Sequence, residues 1–517
     1  MKQCLEELTE GHPVLDGNRV FNPDIIVGIY DVENGHIGAR WESRDNIDGL
    51  LDYVRGVYRE GLVPEDYHLE VIEKYFMDVV SEAETTDLRD SAVFELLLTD
   101  AFLLLAAHLA GGKTDPDDMA ARWGAVGIME LDEWVRFFER TLEEGSVAEN
   151  LAELLPSHGG YHDLRCSLAE YRDMKEKGGW EHFFTDEPEL EKGMRHPDVE
   201  RLRNRLASEQ GAVEPDIEDE DYFDESLHEQ VVLFQERHGL PADGVVDNGV
   251  VEAMNVTVIE KLDVIEANLD RWRWLNSAVA DRSVMVDIAA FELLATENEH
   301  PRFSLRAIVG TPERQTPMFS SHITHIELNP YWIVPPGIIE DDIMPAVRDD
   351  IHYLENRNME VIRDDGTTID PEMVDWHADF QDTFPYTIRQ EPGPGNEMGT
   401  IKFVVPNPYY VTIHDTPDAE LFDSTVRAFS SGCTRVEEPL RLAAWLLADD
   451  SEWTREKLAD KIEKGDNHIV RLREHVPVEK SYLTAWAEDD CTAFFRDDVY
   501  SVDPRLTQAL REPPPER

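Results

Sequence analysis

The sequence predicts a multidomain α+β protein: a helical N-terminal region, a small helical module, and a β-rich C-terminal domain carrying a long insertion. Three observations predict it. At 517 residues the chain is too long for one hydrophobic core. From Ser43 to Leu151 apolar residues recur at spacings of three and four, the period of helices with one buried face. From Ser283 onward the apolar runs are short, rich in β-branched and aromatic residues, and bounded by Pro, Gly or Asn, which is strand grammar.

The helical region consists of RDNIDGLLDYVRGVYREG, SAVFELLLTDAFLLLAAHLAGG and LDEWVRFFERTLEEG, with Gly111 and Gly112 as a helix stop. Acidic residues crowd Asp186 to Asp221, and the end of that stretch, EPDIEDEDYFDE, reads as loose chain that interrupts a core. RLRNRLASEQG and LHEQVVLFQERHGLPADGVVDNGVVEAMN then form a compact unit. Amphipathic helices flank a Gly, Pro and Asp turn, and Val231, Phe234, Leu240, Val246 and Val251 are its expected apolar contacts.

Strands follow in SVMVDIAAFELLA, SLRAIVG, HITHIELNPYWIV, TIKFVVP and YYVTIHD, before PLRLAAWLLAD and WTREKLADKIEKG return to helical spacing. Between Pro335 and Gly399 lies the insertion. It exceeds what joining neighbouring strands requires, and its Ile338, Ile343, Tyr353, Trp376, Phe380 and Phe384 predict packing of its own, as in a lid.

Charge narrows the function. Against 48 Lys and Arg stand 109 Asp and Glu, a formal net charge of −61. A phosphate backbone would be repelled, so no nucleic-acid partner is expected. The acid is spread over the whole chain, as expected of a protein from a high-salt habitat, where screening makes self-repulsion tolerable; an ordinary acidic mesophilic protein is the alternative reading. The four cysteines, at 4, 166, 433 and 491, are scattered without metal-site spacing, and no disulfide framework is expected. No uninterrupted apolar run reaches membrane-spanning length, and MKQCLEELTEGHP lacks the basic and apolar segments of a signal peptide.

The chemistry concentrates in YYVTIHDTPDAELFDSTVRAFSSGCTRVEEP. It places His414 at a strand end and Cys433 in Ser-Ser-Gly-Cys-Thr-Arg. A thiolate is a strong nucleophile, and an imidazole within reach can deprotonate it. Gly432 permits close backbone approach, and the amides of Gly432 and Cys433 are candidates for an oxyanion hole. Arg435 is placed to lower the thiol pKa or to grip a carboxylate. The group orienting His414 is open: Asp415 is adjacent, but consecutive strand residues point to opposite faces, so a backbone carbonyl is an equal candidate. His322 and His325 in SSHITHIEL face opposite sides of a strand and make a poor metal pair, Cys491 lacks a cationic neighbour, and Asp341 with Asp342 reads as solvated surface.

HDTP followed by RAFSSGCTRV resembles the signature of the L,D-transpeptidase catalytic domain, with Ser431 standing where many members carry His. VDIAAFEL, VGTPERQTPMFSSHITHIELNPYWIVPP, QEPGPGNEMGTIKFVVPNPY and FRDDVY resemble the large Gram-negative members of that family. LFQERHGLPADGVVDNGVVEAMN is similar to a peptidoglycan-binding domain, and GLVPEDYHL with ELLLTDAFLLLAAHLAGGKTDP to the scaffold domain of the same enzymes. The resemblance implies a scaffold domain over 1–195, a peptidoglycan-binding domain over 196–260 and a catalytic domain over 261–517, with 335–399 as a substrate-capping insertion.

It further implies that Cys433 attacks the carbonyl between the third residue of a peptidoglycan stem and its terminal D-Ala, with His414 as base. Gly432, Ser431 and Arg435 would serve the oxyanion and substrate, and Tyr331 and Trp332 would wall the stem cleft. The expected product is a 3-3 cross-link formed through a thioester, in the periplasm or cell envelope, in the service of wall synthesis and cell shape. That chemistry needs no metal and no organic cofactor. Stem peptides, and possible other wall-synthesis proteins, are the expected partners. An L,D-carboxypeptidase and an inactive wall-binding scaffold are the competing readings.

Overall fold

The computed structural model describes every residue except 10–12, 31–37, 82–86, 117–128, 212–219, 276–279, 299, 379–383 and 515–517. The loose acidic stretch expected before Tyr222 falls mainly on 212–219, and Phe380 of the insertion on 379–383, outside the described residues. The chain divides into two compact units, Met1–Ser277 with Leu483–Arg517, and Ala278–Tyr482.

In the first unit, helices α1 (Arg44–Arg55), α2 (Leu69–Ser81), α3 (Leu88–Gly111) and α4 (Leu131–Glu144) realise the expected periodic segments. Helix α3 is long and apolar enough to span a membrane by length and composition, yet it is buried almost throughout, with Leu96, Leu97, Ala101, Phe102 and Leu105 fully enclosed in the core. It stops where the glycines predict, with Gly112 at φ 85 as its cap.

Helix α5 (Gly159–Glu176) is followed by α6 (Pro197–Gln210), α7 (Glu225–Arg237) and α8 (Asn248–Met254), which enclose a separate small core. Val231, Phe234 and Val246 are buried there, with Leu240 and Val251 packed against them, and Leu202 and Phe223 are further members. Helix α9 (Val258–Trp274) opens with a Thr257/Glu260 capping box.

Residues 261–277 and 483–517, placed by the sequence reading with the catalytic domain, group with this helical unit instead. The absence of any expected disulfide is also corrected: Cys166 on α5 is joined to Cys491. The two lie 325 positions apart, so nothing local in the sequence announces the pairing.

The second unit is built on a nine-stranded sheet. Its strands are β1 (Arg282–Asp287), β2 (Glu292–Glu297), β3 (His300–Gly310), β4 (Phe319–Leu328), then, past a strand β5 (Trp332–Ile333), short helical segments and strands β6 (Met359–Ile362), β7 (Thr368–Ile369) and β8 (Thr387–Gln390), the strands β9 (Ile401–Val404), β10 (Ile413–His414), β11 (Ala428–Ser430), β12 (Thr434–Val436) and β13 (His468–Ser481). The order is β11-β3-β12-β10-β9-β4-β13-β1-β2, and β2 also pairs with β3, so the sheet closes on itself.

The insertion makes its own four-stranded sheet, β5-β8-β6-β7, over a core of Val334, Ile343, Leu354, Val361, Trp376 and Ile388. The segment IIEDDIMPAVRDD is helical as expected, but its Ile339–Ile343 portion winds as a π-helix.

Candidate functional site

One register row of the closed sheet assembles the site. Glu327 on β4 pairs with Lys402 on β9, Lys402 with His414 on β10, and His414 with Arg435 on β12. Strands β10 and β12 are parallel, so the residue entering β12, Cys433, lies beside Thr412, two register positions from His414; Thr434 N–H donates to Thr412 O at 2.9 Å.

Cys433 is partly exposed while His414 is buried at 1% exposure, and both line one cavity of about 860 Å³. Ser431, Arg435, Tyr331 and Trp332 line the same cavity, so six of the seven site residues named from sequence converge. Gly432 does not line it.

Gly432 has a different task. It sits at φ 103, and a Cβ there would stand 3.3 Å from the Gln315 carbonyl, so only glycine turns the chain this tightly without strain. Its N–H is already engaged, donating to Ser430 Oγ at 3.1 Å, while the Ser430 hydroxyl donates to Cys433 O at 2.6 Å. Ser430, 3% exposed, thereby shapes the loop that presents the thiol, a role sequence reasoning missed. Of the two amides proposed for an oxyanion hole, Gly432's is taken up by Ser430.

The open question of what orients His414 resolves to a backbone group. His414 Nδ1 donates to the Asp415 carbonyl at 2.5 Å, and because a carbonyl can only accept, the ring's basic nitrogen is Nε2. The Asp415 carboxylate is occupied elsewhere, accepting from Thr400 N, Thr400 Oγ1 and Thr416 N at 2.8, 2.6 and 2.8 Å, which fixes the peptide whose carbonyl holds the imidazole.

Burial drives the His414 pKa down to about 3, and the neighbouring Arg435 charge adds to the effect, so the ring is neutral. The Asp415 carbonyl works in the opposite direction, and Lys402 and Lys480 in the same one as Arg435.

Arg435 is held by Asp418 at 3.3 Å, by Glu397 at 3.7 Å and by Thr416 Oγ1 at 3.3 Å. Its Nε is buried without a hydrogen-bond partner among the described residues. Arg389 lies over the Tyr331 ring at 4.4 Å, and Trp332 packs against the core of the insertion.

The acidic pair Asp341 and Asp342 is exposed, as read from sequence, and it also borders the cavity. Asp342 takes a two-pronged contact from Arg314 at 2.5 and 2.8 Å, and Arg314 Nη1 also donates to Ser431 Oγ at 3.2 Å. Arg314 therefore ties the insertion to the loop that carries Cys433. His322 is exposed and His325 contacts Thr324 and Glu327; neither lines the cavity.

Comparison with known proteins agrees with the resemblance. Residues 281–470 match the family model described as "L,D-transpeptidase catalytic domain", residues 37–168 that of a "Scaffold domain", and residues 195–254 that of a "Putative peptidoglycan binding domain". The three stand in the order expected from the sequence. A protein of Haemophilus influenzae named "Putative L,D-transpeptidase" is 31% identical over 226 residues, 44% of this chain and 45% of that protein. The chain thus spans about half the length of the curated relative it matches. A solved L,D-transpeptidase structure from Xylanimonas cellulosilytica aligns with 57% of this chain and 99% of that chain at 13% identity and a TM-score of 0.19.

Proposed function

We propose that this protein is a peptidoglycan L,D-transpeptidase that works through a Cys433 thioester. The observation that carries the reading is that Cys433, immediately before β12, and His414, on the neighbouring parallel strand β10, line one cavity, with His414 Nδ1 tied to a carbonyl and Nε2 left basic.

Cys433 passes its proton to His414 Nε2, and the sulfur attacks the carbonyl between the third stem residue and the terminal D-Ala. The tetrahedral oxyanion draws on the Cys433 amide, since Ser430 holds that of Gly432. Collapse breaks the C–N bond, and D-Ala leaves with the proton from the imidazolium. An imidazolium in so buried and cationic a setting is a strong acid, which suits proton return to the amine. The side-chain amine of a second stem then attacks the thioester, forms the 3-3 cross-link and restores the thiol.

Tyr331 and Trp332 wall the stem cleft in this account, Ser431 and Arg435 face the substrate, and the insertion over 335–399 caps it. The scaffold domain, 1–195, and the peptidoglycan-binding domain, 196–260, hold the enzyme to the wall. A site in the cell envelope is supported by the Cys166–Cys491 disulfide, which persists in oxidising compartments. Water in place of the amine would give a carboxypeptidase. Mass spectrometry of products from purified disaccharide-tetrapeptide distinguishes the readings: cross-linked dimer with released D-Ala supports transfer, tripeptide alone supports hydrolysis, and no product supports a wall-binding scaffold.

A further inference from the structure

Three lysines of the described chain are essentially fully buried, Lys113, Lys261 and Lys480. A buried ammonium is costly unless an anion compensates it. Lys113 has Asp66 at 2.7 Å and Lys261 has Glu209 at 2.5 Å. Lys480 differs. At 0% exposure it has no ion pair with a carboxylate among the described residues. Its Nζ donates to Thr434 Oγ1 at 3.0 Å and lies 5.5 Å from the centre of the Phe319 ring. Thr434, itself fully buried, is the residue that follows Cys433.

The ammonium is thus brought by the long strand β13 to the floor of the loop that carries the thiol. The usual counter-charge for a catalytic thiolate, an imidazolium, is disfavoured here because His414 is buried, with the charges of Arg435, Lys402 and Lys480 adding to the effect.

We propose that the Lys480 ammonium, rather than a His414 imidazolium, is the fixed counter-charge that supports ionisation of Cys433. The inference rests on Cys433 as nucleophile and adds a positioning residue that acts on it through the field. Lys480 keeps its own proton throughout; the thiol proton leaves to His414 Nε2 or to solvent base.

The electrostatics are consistent with this role. Burial lowers the Lys480 pKa to about 8, and Cys433 is the one charged group that raises it. Cross-strand partners Phe319 on β4 and Val286 on β1 do not titrate, and Asp287 and Glu479 stand one register position away. Support for the thiolate is therefore complete below about pH 8 and declines above it as the ammonium is lost.

The test is the pH profile of Cys433 alkylation by iodoacetamide, mapped by peptide mass spectrometry on the full chain; the other free cysteine, Cys4, is buried. Lys480→Met should raise the midpoint by about one unit or more, roughly tenfold less thiolate at neutral pH, and Lys480→Arg should restore most of it. An unchanged midpoint in a folded Lys480→Met protein overturns the proposal. A reciprocal measurement decides the matter even where that variant does not fold. The Lys480 titration, followed by NMR of lysine carrying labelled Cε, should move to lower pH in Cys433→Ala, and an unmoved titration overturns the proposal. Failure of the nucleophile assignment shows separately, as cross-linking that survives in Cys433→Ala.

Discussion

Ser430→Ala tests whether the thiol is presented by a small hydrogen-bonded turn. The hydroxyl, 3% exposed, accepts from Gly432 N–H at 3.1 Å and donates to Cys433 O at 2.6 Å. Each such bond contributes about 1 kcal/mol net, and leaving a partner buried and unsatisfied costs about 1–3 kcal/mol. Removing both therefore costs about 2–4 kcal/mol, divided between unfolding of the unit and local rearrangement of the loop. If about 2 kcal/mol goes to the loop, the aligned conformation becomes about 30-fold rarer, at about 1.4 kcal/mol per tenfold. The second-order rate of Cys433 acylation by a carbapenem should fall by roughly that factor, while chemical denaturation shows a loss of about 1–2 kcal/mol. An acylation rate within about threefold of the parent, with unchanged stability, would refute the reasoning.

Three further outcomes follow from other parts of the chain. Reduction of Cys166–Cys491, which closes a loop with a sequence separation of 325, should cost the helical unit about 2–5 kcal/mol and leave β-lactam acylation nearly unchanged; equal unfolding curves with and without reductant would contradict this. His414 stays neutral in the fold down to about 3 but takes up a proton near 6.5 when unfolded, so the unfolded state binds more protons in between and stability falls as pH drops through that window. His414→Gln should shrink that acid-side loss of Tm, and an identical pH dependence would remove the burial argument. The net charge of −61 predicts a Tm that rises between low salt and molar KCl, and a flat or falling Tm would count against a high-salt habitat.

What was legible in the sequence was what period and local spacing encode. The helices of the first unit, the strands from Ser283, and the Gly-Cys turn all carry their signal within a few residues. Arg435 followed from its place two residues after Cys433, whereas the cavity lining by Tyr331, Trp332 and Ser431 followed from resemblance rather than from pattern.

What was missed depends on distance along the chain. Lys480 reaches Thr434 only because β13 joins the closed sheet, and Arg314 meets Asp342 only because the insertion folds back over the cavity. The insertion's sheet escaped notice because its strands are two to four residues long, below what alternation can reveal. Ser430 did have a local signal, since a serine two residues before a positive-φ glycine is placed to cap its amide.

The most direct test of the account is intact-mass analysis after exposure to a carbapenem, run beside product analysis on disaccharide-tetrapeptide, for the parent and for Cys433→Ala. Because a β-lactam carbonyl presents the same electrophile as the stem, the account predicts one adduct per chain on Cys433 and, in the variant, neither adduct nor cross-linked product despite an unchanged fold. Cross-linking by Cys433→Ala within tenfold of the parent, or an adduct mapping to Cys4, would contradict it.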